Sequence, residues 1–232
     1  IKLIEDTAWG LGGSYKNKKL GTHGDIGAFS FDFAKTLTTG EGGMLCFKNK
    51  SIFQKACAWH DHGHENNPKV PRWEDTRTDS GFNFRMNEMQ GAVGIAQLKK
   101  IHFIIKKQRN NYYRIKKEIS SIEDIEFRHY PGGSYVSADA LIFLMPSKLK
   151  AIKCRKELLK QKISTKILPE ATTWHFAGHW QHIKKIKKKY SNLKKAFPKS
   201  KSILERAVSI PIFLKMENRF AKKVKKSILN SL

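Results

Sequence analysis

Gly24-Asp25-Ile26-Gly27-Ala28-Phe29-Ser30-Phe31-Asp32-Phe33-Ala34-Lys35 is the stretch on which the fold turns. Ile26 to Phe31 is a short apolar run entered through Gly24-Asp25, which predicts a buried strand. Lys35 follows where that strand ends. Downstream, Thr38-Thr39-Gly40-Glu41-Gly42-Gly43 is a loop whose glycines let the backbone approach a ligand closely. Gly43 to Phe47 reads as a further strand. Upstream, Leu3 to Glu5 reads as a strand ending at Asp6. The turn Gly10-Leu11-Gly12-Gly13 and a basic hairpin around Tyr15 to Lys19 come next. Ser51 is expected to cap a helix running to about Trp59.

Beyond it, His60 to Ser80 is polar, contains prolines and has no periodicity. It is read as a long loop, and loops of that length inside a domain are often functional. From Asn87, the residues Met89, Val93, Ala96, Leu98 and Ile101 recur at helical spacing, and one helix is expected to run to about Ser120. Asn87 suits the cap, although Glu88 stands too early for a capping box. Tyr135 to Met145 reads as a strand, Ser147 to Lys160 as an amphipathic helix, Thr165 to Leu168 and Val208 to Ile212 as strands, and Glu217 to Leu229 as a closing helix. Alternating strands and helices early in the chain favour an α/β architecture, and the remainder a smaller α+β lobe. The boundary is placed between 115 and 116.

The 232 residues are 40% hydrophobic and 11% aromatic, enough for an ordinary globular core. No stretch approaches the ~18–20 uninterrupted apolar residues of a membrane span, and no signal peptide opens the chain. Cys46, Cys57 and Cys154 are few and widely spaced, so they read as free thiols in a reducing, cytoplasmic setting. The chain opens on Ile1-Lys2-Leu3-Ile4, a strand already in progress, and is expected to lack its N-terminal portion. The net charge is +25, and Lys148 to Leu232 holds 24 basic and 4 acidic residues. That charge suits either a polyanion-binding surface or solvated helix faces. Runs such as Lys184 to Lys189 lack the arginines and aromatics that nucleic-acid sites mix into a basic patch, so a nucleic-acid partner is disfavoured.

Three features carry chemistry. Asp6 stands where a strand ends, and ligand sites in open α/β sheets lie at such carboxyl ends. Ser30 and Lys35 stand at the end of another strand. A lysine in an apolar setting becomes a nucleophilic amine able to capture a carbonyl cofactor. Pyridoxal 5'-phosphate (PLP) also needs an acid at its ring nitrogen and donors for its phosphate. Asp6, Lys35 and Ser30 are those three chemical types, although carboxylates and lysines end strands in any α/β protein.

Four blocks sharpen the reading: Glu5-Asp6-Thr7-Ala8, Gly24 to Phe31, Lys35 to Gly43, and Gly81-Phe82-Asn83-Phe84-Arg85-Met86-Asn87 with Gln90 and Gly94 to Leu98. In order and spacing they resemble the DegT/DnrJ/EryC1/StrS aminotransferases, PLP-dependent enzymes of transferase fold type I that aminate keto-sugars. The resemblance implies a partial large PLP-binding domain over 1–115 and a small α+β C-terminal domain over 116–232. It implies Lys35 as the Schiff-base lysine and proton shuttle, Asp6 on the pyridinium proton and Ser30 on the phosphate. Asn83 would reach the phosphate of a neighbouring subunit, because such enzymes are homodimers with shared sites. Arg85 would face the anionic part of the substrate or of the amino donor, usually glutamate. The resemblance further implies a product for surface polysaccharides such as lipopolysaccharide.

Most relatives carry Gln or His where this chain has Trp9, and an indole N–H donates but cannot accept a hydrogen bond, so contacts to the cofactor are expected to differ there. The expected absence of the N-terminal portion implies an isolated chain that is inactive or poorly folded. A non-catalytic remnant that only binds a partner is the rival. A related sugar dehydratase uses histidine in place of Lys35, which argues against that activity. His60, His62 and His64 with Cys57 have metal-like composition without a closed ligand set, and a polar loop at the substrate entrance, with His62 and His64 facing substrate, is preferred. Arg72 and Arg77 suit either a substrate carboxylate or phosphate, or the surface. Trp174 to Trp180 is an aromatic cluster for which packing is favoured over a pocket wall. Together with Asp61 to His64 it resembles a subgroup acting on eight-carbon keto-deoxy sugar acids, the precursors of 8-amino-3,8-dideoxyoctulosonate, rather than on sugar nucleotides.

Overall fold

A computed structural model describes residues 1–190 and 192–232. In chain order the elements begin with strands β1 (Ile4–Asp6), β2 (Ser14–Tyr15), β3 (Lys18–Lys19), β4 (Ile26–Ser30) and β5 (Gly43–Phe47). Helices α1 (Lys50–His60), α2 (Glu88–Leu98) and α3 (Ile101–Ile119) follow, then β6 (Glu126–Phe127), β7 (Ser134–Tyr135) and β8 (Ala140–Leu144). Helices α4 (Lys148–Lys160), α5 (Thr172–His175), α6 (Lys184–Lys189) and α7 (Pro198–Arg206), strand β9 (Ala207–Pro211) and helix α8 (Phe220–Leu229) complete the chain. They form two compact units. The first comprises Ile1–Ile105 with Gly132–Ser137, the second Lys106–Pro131 with Ala138–Leu232. The division falls within α3 after Ile105, not at 115/116, and Gly132–Ser137 returns to unit 1. No helix among the described residues is long and apolar enough to cross a membrane.

In unit 1, β1 lies parallel to β4, with Ile4 opposite Ile26 and Asp6 opposite Ala28, and β4 lies antiparallel to β5. The parallel pairing brings the carboxyl ends of β1 and β4 side by side. Glu5 prepares that register. Its carboxylate accepts from the backbone N–H of Gly21 at 2.8 Å and of Gly24 at 2.6 Å, pinning the turn that feeds β4. Gly27 is required there, because a Cβ would stand 2.0 Å from the Gly21 carbonyl oxygen. The second small sheet orders β3, β2 and β7.

In unit 2, β8 is the centre of an antiparallel sheet between β6 and β9. Leu141 and Phe143 alternate inward and are wholly buried, as the period of two demands. Helix α4 packs on α7, α8 and β9. Its buried face is Ala151, Cys154 and Leu158, and Ala221, Val224 and Ile228 form that of α8.

Several local expectations are corrected. Ser51 does not cap α1; Asn49 does, accepting from the Ile52 N–H at 3.1 Å. The single helix expected from Asn87 to Ser120 is two. Lys100 N–H bonds to the Gln97 carbonyl at 3.0 Å, a tight closing turn, before Ile104 N–H bonds to Lys100 and α3 begins. A capping box does form at Asn87, with Gln90 rather than Glu88 as its partner: Gln90 N–H donates to Asn87 Oδ1 at 2.8 Å and Asn87 N–H to Gln90 Oε1 at 3.1 Å. The strand expected over Tyr135–Met145 is divided, with Ala138 at φ +65° between β7 and β8. Thr165 to Leu168 is not a strand. Ile167 at φ +71° bends it, leaving only Lys166 N–H and the Leu168 carbonyl paired with the backbone of Ser209. The closing helix starts at Phe220, not Glu217.

Candidate functional site

Four of the expected residues arrive from two neighbouring strand ends in unit 1. Asp6 ends β1 and Trp9 follows in the turn after it; Ser30 ends β4 and Lys35 follows in its exit turn. Thr7 extends the pairing past β1, its N–H and Oγ1 both donating to the Ala28 carbonyl, at 2.9 and 2.6 Å. The exit from β4 is set by Asp32. Its carboxylate accepts from Ala34 N–H at 2.9 Å, and Lys35 N–H donates to its carbonyl at 3.0 Å. That turn brings Lys35 Nζ to 3.5 Å from the centroid of the Trp9 ring. The π face of Trp9 therefore holds the ammonium group, a contact available to Trp9 whatever its indole N–H does.

The polar atoms around this pair have few local partners. Asp6 Oδ1 accepts from Ala8 N–H at 3.1 Å, and Ser30 Oγ accepts a long bond from Asp32 N–H at 3.4 Å. Asp6 is exposed, and Ser30 and Lys35 are half-buried. One carboxylate, one hydroxyl and one amine thus stand on adjacent strand ends, the donor set that PLP requires. The glycine loop lies beyond them. A Cβ on Gly42, at φ +152°, would meet Thr39 Oγ1 at 2.6 Å and Met86 at 3.0 Å. Gln90 Nε2 donates to the Glu41 carbonyl at 2.9 Å, so the start of α2 is tied to this loop.

Asn83 and Arg85 sit on the exposed segment leading into α2. Asn83 Oδ1 accepts from Arg85 Nε at 3.0 Å. Asn83 also pairs across a β-bridge with Asp61, closing the loop between them at its base. Asp61 enters the sequence reading only within the Asp61 to His64 stretch, with no role of its own. It is 4% exposed and takes the guanidinium of Arg72 on both oxygens, at 2.6 and 2.7 Å, with Arg85 Nε at 3.5 Å. The hydrogen-bonded Arg72 guanidinium holds the Asp61 carboxyl below the usual carboxylate range, against the opposing effect of burial. The available signal was a carboxylate directly after the end of α1, in a loop that also holds Arg72 and Arg77.

His62 is exposed at φ +54°, its N–H bonded to the Phe82 carbonyl. His64 is buried inside the loop, with Nδ1 3.4 Å from Asp75 and Nε2 3.5 Å from Arg77. The aromatic cluster of unit 2 divides. Phe176 is buried and borders a cavity of about 420 Å³ with Phe197 and Leu204. Trp174 is 75% exposed, so packing does not account for it.

The profile of the DegT/DnrJ/EryC1/StrS aminotransferase family matches residues 1–229. The uncharacterized protein MJ1066 of Methanocaldococcus jannaschii is 32% identical over 226 residues, which cover 93% of this chain and 56% of that protein. A UDP-4-amino-4,6-dideoxy-N-acetyl-beta-L-altrosamine transaminase of Campylobacter jejuni is 36% identical over 132 residues, 56% of this chain and 32% of that enzyme. Among solved structures, the putative sugar aminotransferase Spr1654 of Streptococcus pneumoniae, in its PLP form, superposes over the whole chain and 59% of its own length, with a TM-score of 0.77 at 18% identity. The chain thus spans a third to just over half of the curated relatives it matches. It shares the α/β fold of the PLP-dependent sugar aminotransferases, fold type I, and belongs to the DegT/DnrJ/EryC1/StrS aminotransferase family.

Proposed function

We propose that this chain carries the cofactor-bearing part of a PLP-dependent aminotransferase that moves an amino group from an amino acid, glutamate by preference, to a keto-sugar for surface polysaccharide. The observation that carries the reading is the convergence of Asp6 and Trp9 from one strand end with Ser30 and Lys35 from its parallel neighbour. When bound, the cofactor supplies an electron sink that eases removal of a proton from the amino-bearing carbon. Asp6 holds the proton at the ring nitrogen. Ser30 donates to the phosphate. Lys35 Nζ would hold the cofactor through its carbonyl carbon, and its amine would carry the proton between the two carbon positions. The Trp9 face keeps that amine beside the strand ends. Asn83 and Arg85 serve the site of a partner subunit, Asn83 at the phosphate and Arg85 at a carboxylate.

A homodimer is supported by the apolar surface beside that segment. Phe82, Phe84, Met89 and Ile95 are each more than half exposed, and contiguous exposed apolar patches mark interaction sites. The acceptor is a sugar nucleotide or a keto-deoxy sugar acid; the guanidinium groups of Arg72 and Arg85, nearly half exposed, suit an anionic group on either.

Borohydride reduction of the PLP-loaded full-length protein, followed by peptide mass mapping, tests the reading. The pyridoxyl mass is expected on Lys35, and Lys35→Ala is expected to lose both label and turnover, the latter by about a thousandfold or more, as removal of an essential nucleophile does. Label on another residue would sink it.

A further inference from the structure

Arg72 and Arg85 share one buried carboxylate, and each keeps an open pair of donors. Asp61 Oδ1 lies 2.6 Å from Arg72 Nη2 and 3.5 Å from Arg85 Nε, so both guanidinium groups stand around a single oxygen. Arg72 uses both Nη1 protons, on Asp61 and on Asn66 Oδ1 at 3.0 Å, and one Nη2 proton on Asp61. Its Nε–H and outer Nη2–H, the side-on fork, take no part in those bonds. Arg85 directs Nε at Asn83 and Asp61, which leaves its terminal Nη1/Nη2 fork. Both side chains are nearly half exposed, at 43% and 46%, while the Asp61 side chain is 5% exposed. Two fixed cations thus rise on one buried anion, with the Asp75 carboxylate close enough to act on Arg72 as well. Fixing the guanidinium planes in advance reduces the side-chain entropy lost on binding.

We propose that Arg72 and Arg85, set by Asp61, form a two-armed site for a carboxylate, with Arg72 as a binding residue beyond those the family resemblance implies. Guanidinium forks match carboxylates bidentately. The carboxylate has two sources compatible with the aminotransferase reading, on which the site's purpose rests: the amino-acid donor and a sugar-acid acceptor. Asp61 is a positioning residue, acting through the two arginines.

The test uses the full-length protein without turnover. Arginines are modified with phenylglyoxal, and the rate at Arg72 and at Arg85 is read by peptide mass spectrometry with L-glutamate, with 3-deoxy-D-manno-octulosonate, or with inorganic phosphate added. Joint protection of Arg72 and Arg85 by glutamate assigns the site to the donor, and by the sugar acid to the acceptor. Protection by phosphate but by neither carboxylate overturns the proposal, and so does no protection or protection of Arg85 alone. Arg72→Lys keeps a charge against Asp61 but removes the fork. It is expected to raise the concentration of the protecting carboxylate needed at Arg85 by about tenfold or more, the worth of one charged hydrogen bond or better. An unchanged protecting concentration counts against Arg72. Because protection is read without catalysis, an absent label on Lys35 overturns the aminotransferase reading while leaving this site to stand or fall by its own result.

Discussion

The two units hold themselves together by different means. Among the described residues, the large side chains that are wholly buried belong almost entirely to unit 2: Ile115, Ile119, Leu141, Phe143, Met145, Leu158, Val208, Ile210, Val224 and Ile228. In unit 1 only Leu37 joins them. Unit 1 instead leaves Leu3, Ile4, Phe33 and Leu45 each more than half exposed, and its fixed points are polar: the Glu5 carboxylate on two backbone N–H groups, Asp61 on two arginines, and the capping box of α2. The unit with the complete apolar core carries none of the residues expected to hold the cofactor. The difference teaches that the fixed points visible around the candidate site in this chain are directional bonds at strand ends and loops.

The largest expected effect attacks the apolar side of that contrast. Leu141→Ala empties a wholly buried position in β8 and is expected to destabilise unit 2 by about 2–5 kcal/mol in urea unfolding of this chain. Leu45→Ala, at a position 52% exposed in β5, is expected to change unfolding by about 0.5 kcal/mol or less. Equal costs at the two leucines would break the comparison.

The same contrast explains what the sequence made legible. Strands β4, β5 and β9 and helix α4 were readable because apolar runs and an N-cap serine announce them locally. The chemical pairing of Asp6 with Lys35 was readable because both stand at strand ends. Three features were not. The bend at Ile167 depends on which backbone groups of Ser209 are available, a property of the partner strand. The exposure of Met89 and Val93 contradicts the burial that their helical spacing suggests, since periodicity reports that a helix has an apolar face but not what covers it. Asp61 was silent because a buried carboxylate is recognised only by its counter-ions, and Arg72 and Arg85 become its neighbours only once the loop closes through the bridge to Asn83.

A middle-sized effect separates the units by pH. The carboxyl of Asp61 is held low by Arg72. That of Asp75 is also lowered: burial opposes this, but the N–H groups of Asn67 and Asn66 and the nearby His64 outweigh it. A carboxyl whose folded pKa is depressed contributes stability that is fully present above its unfolded value of about 3.9 and is lost as pH falls through the folded value. Hydrogen exchange, corrected for its intrinsic pH dependence, is therefore expected to show the amides of Asn66 and Asn67 losing protection below about pH 4. The amides between β8 and β9, held by burial, stay protected at the same pH. Simultaneous loss in both places would mean that the loop is held by something other than these ion pairs.

The smallest effect sharpens the polar side. Asn87→Ala removes the acceptor for Gln90 N–H and is expected to cost α2 about 1 kcal/mol, as loss of an N-cap does. Gln90→Ala removes the return bond to Asn87 N–H and also the bond from Nε2 to the Glu41 carbonyl, the link between α2 and the glycine loop after Lys35. Both variants fray the first turn of α2, which exchange at its amides measures. Only Gln90→Ala is expected to loosen Thr38 to Gly43 as well. If Asn87→Ala loosens that loop equally, the cap itself positions the glycine loop, and the Gln90 amide merely accompanies it.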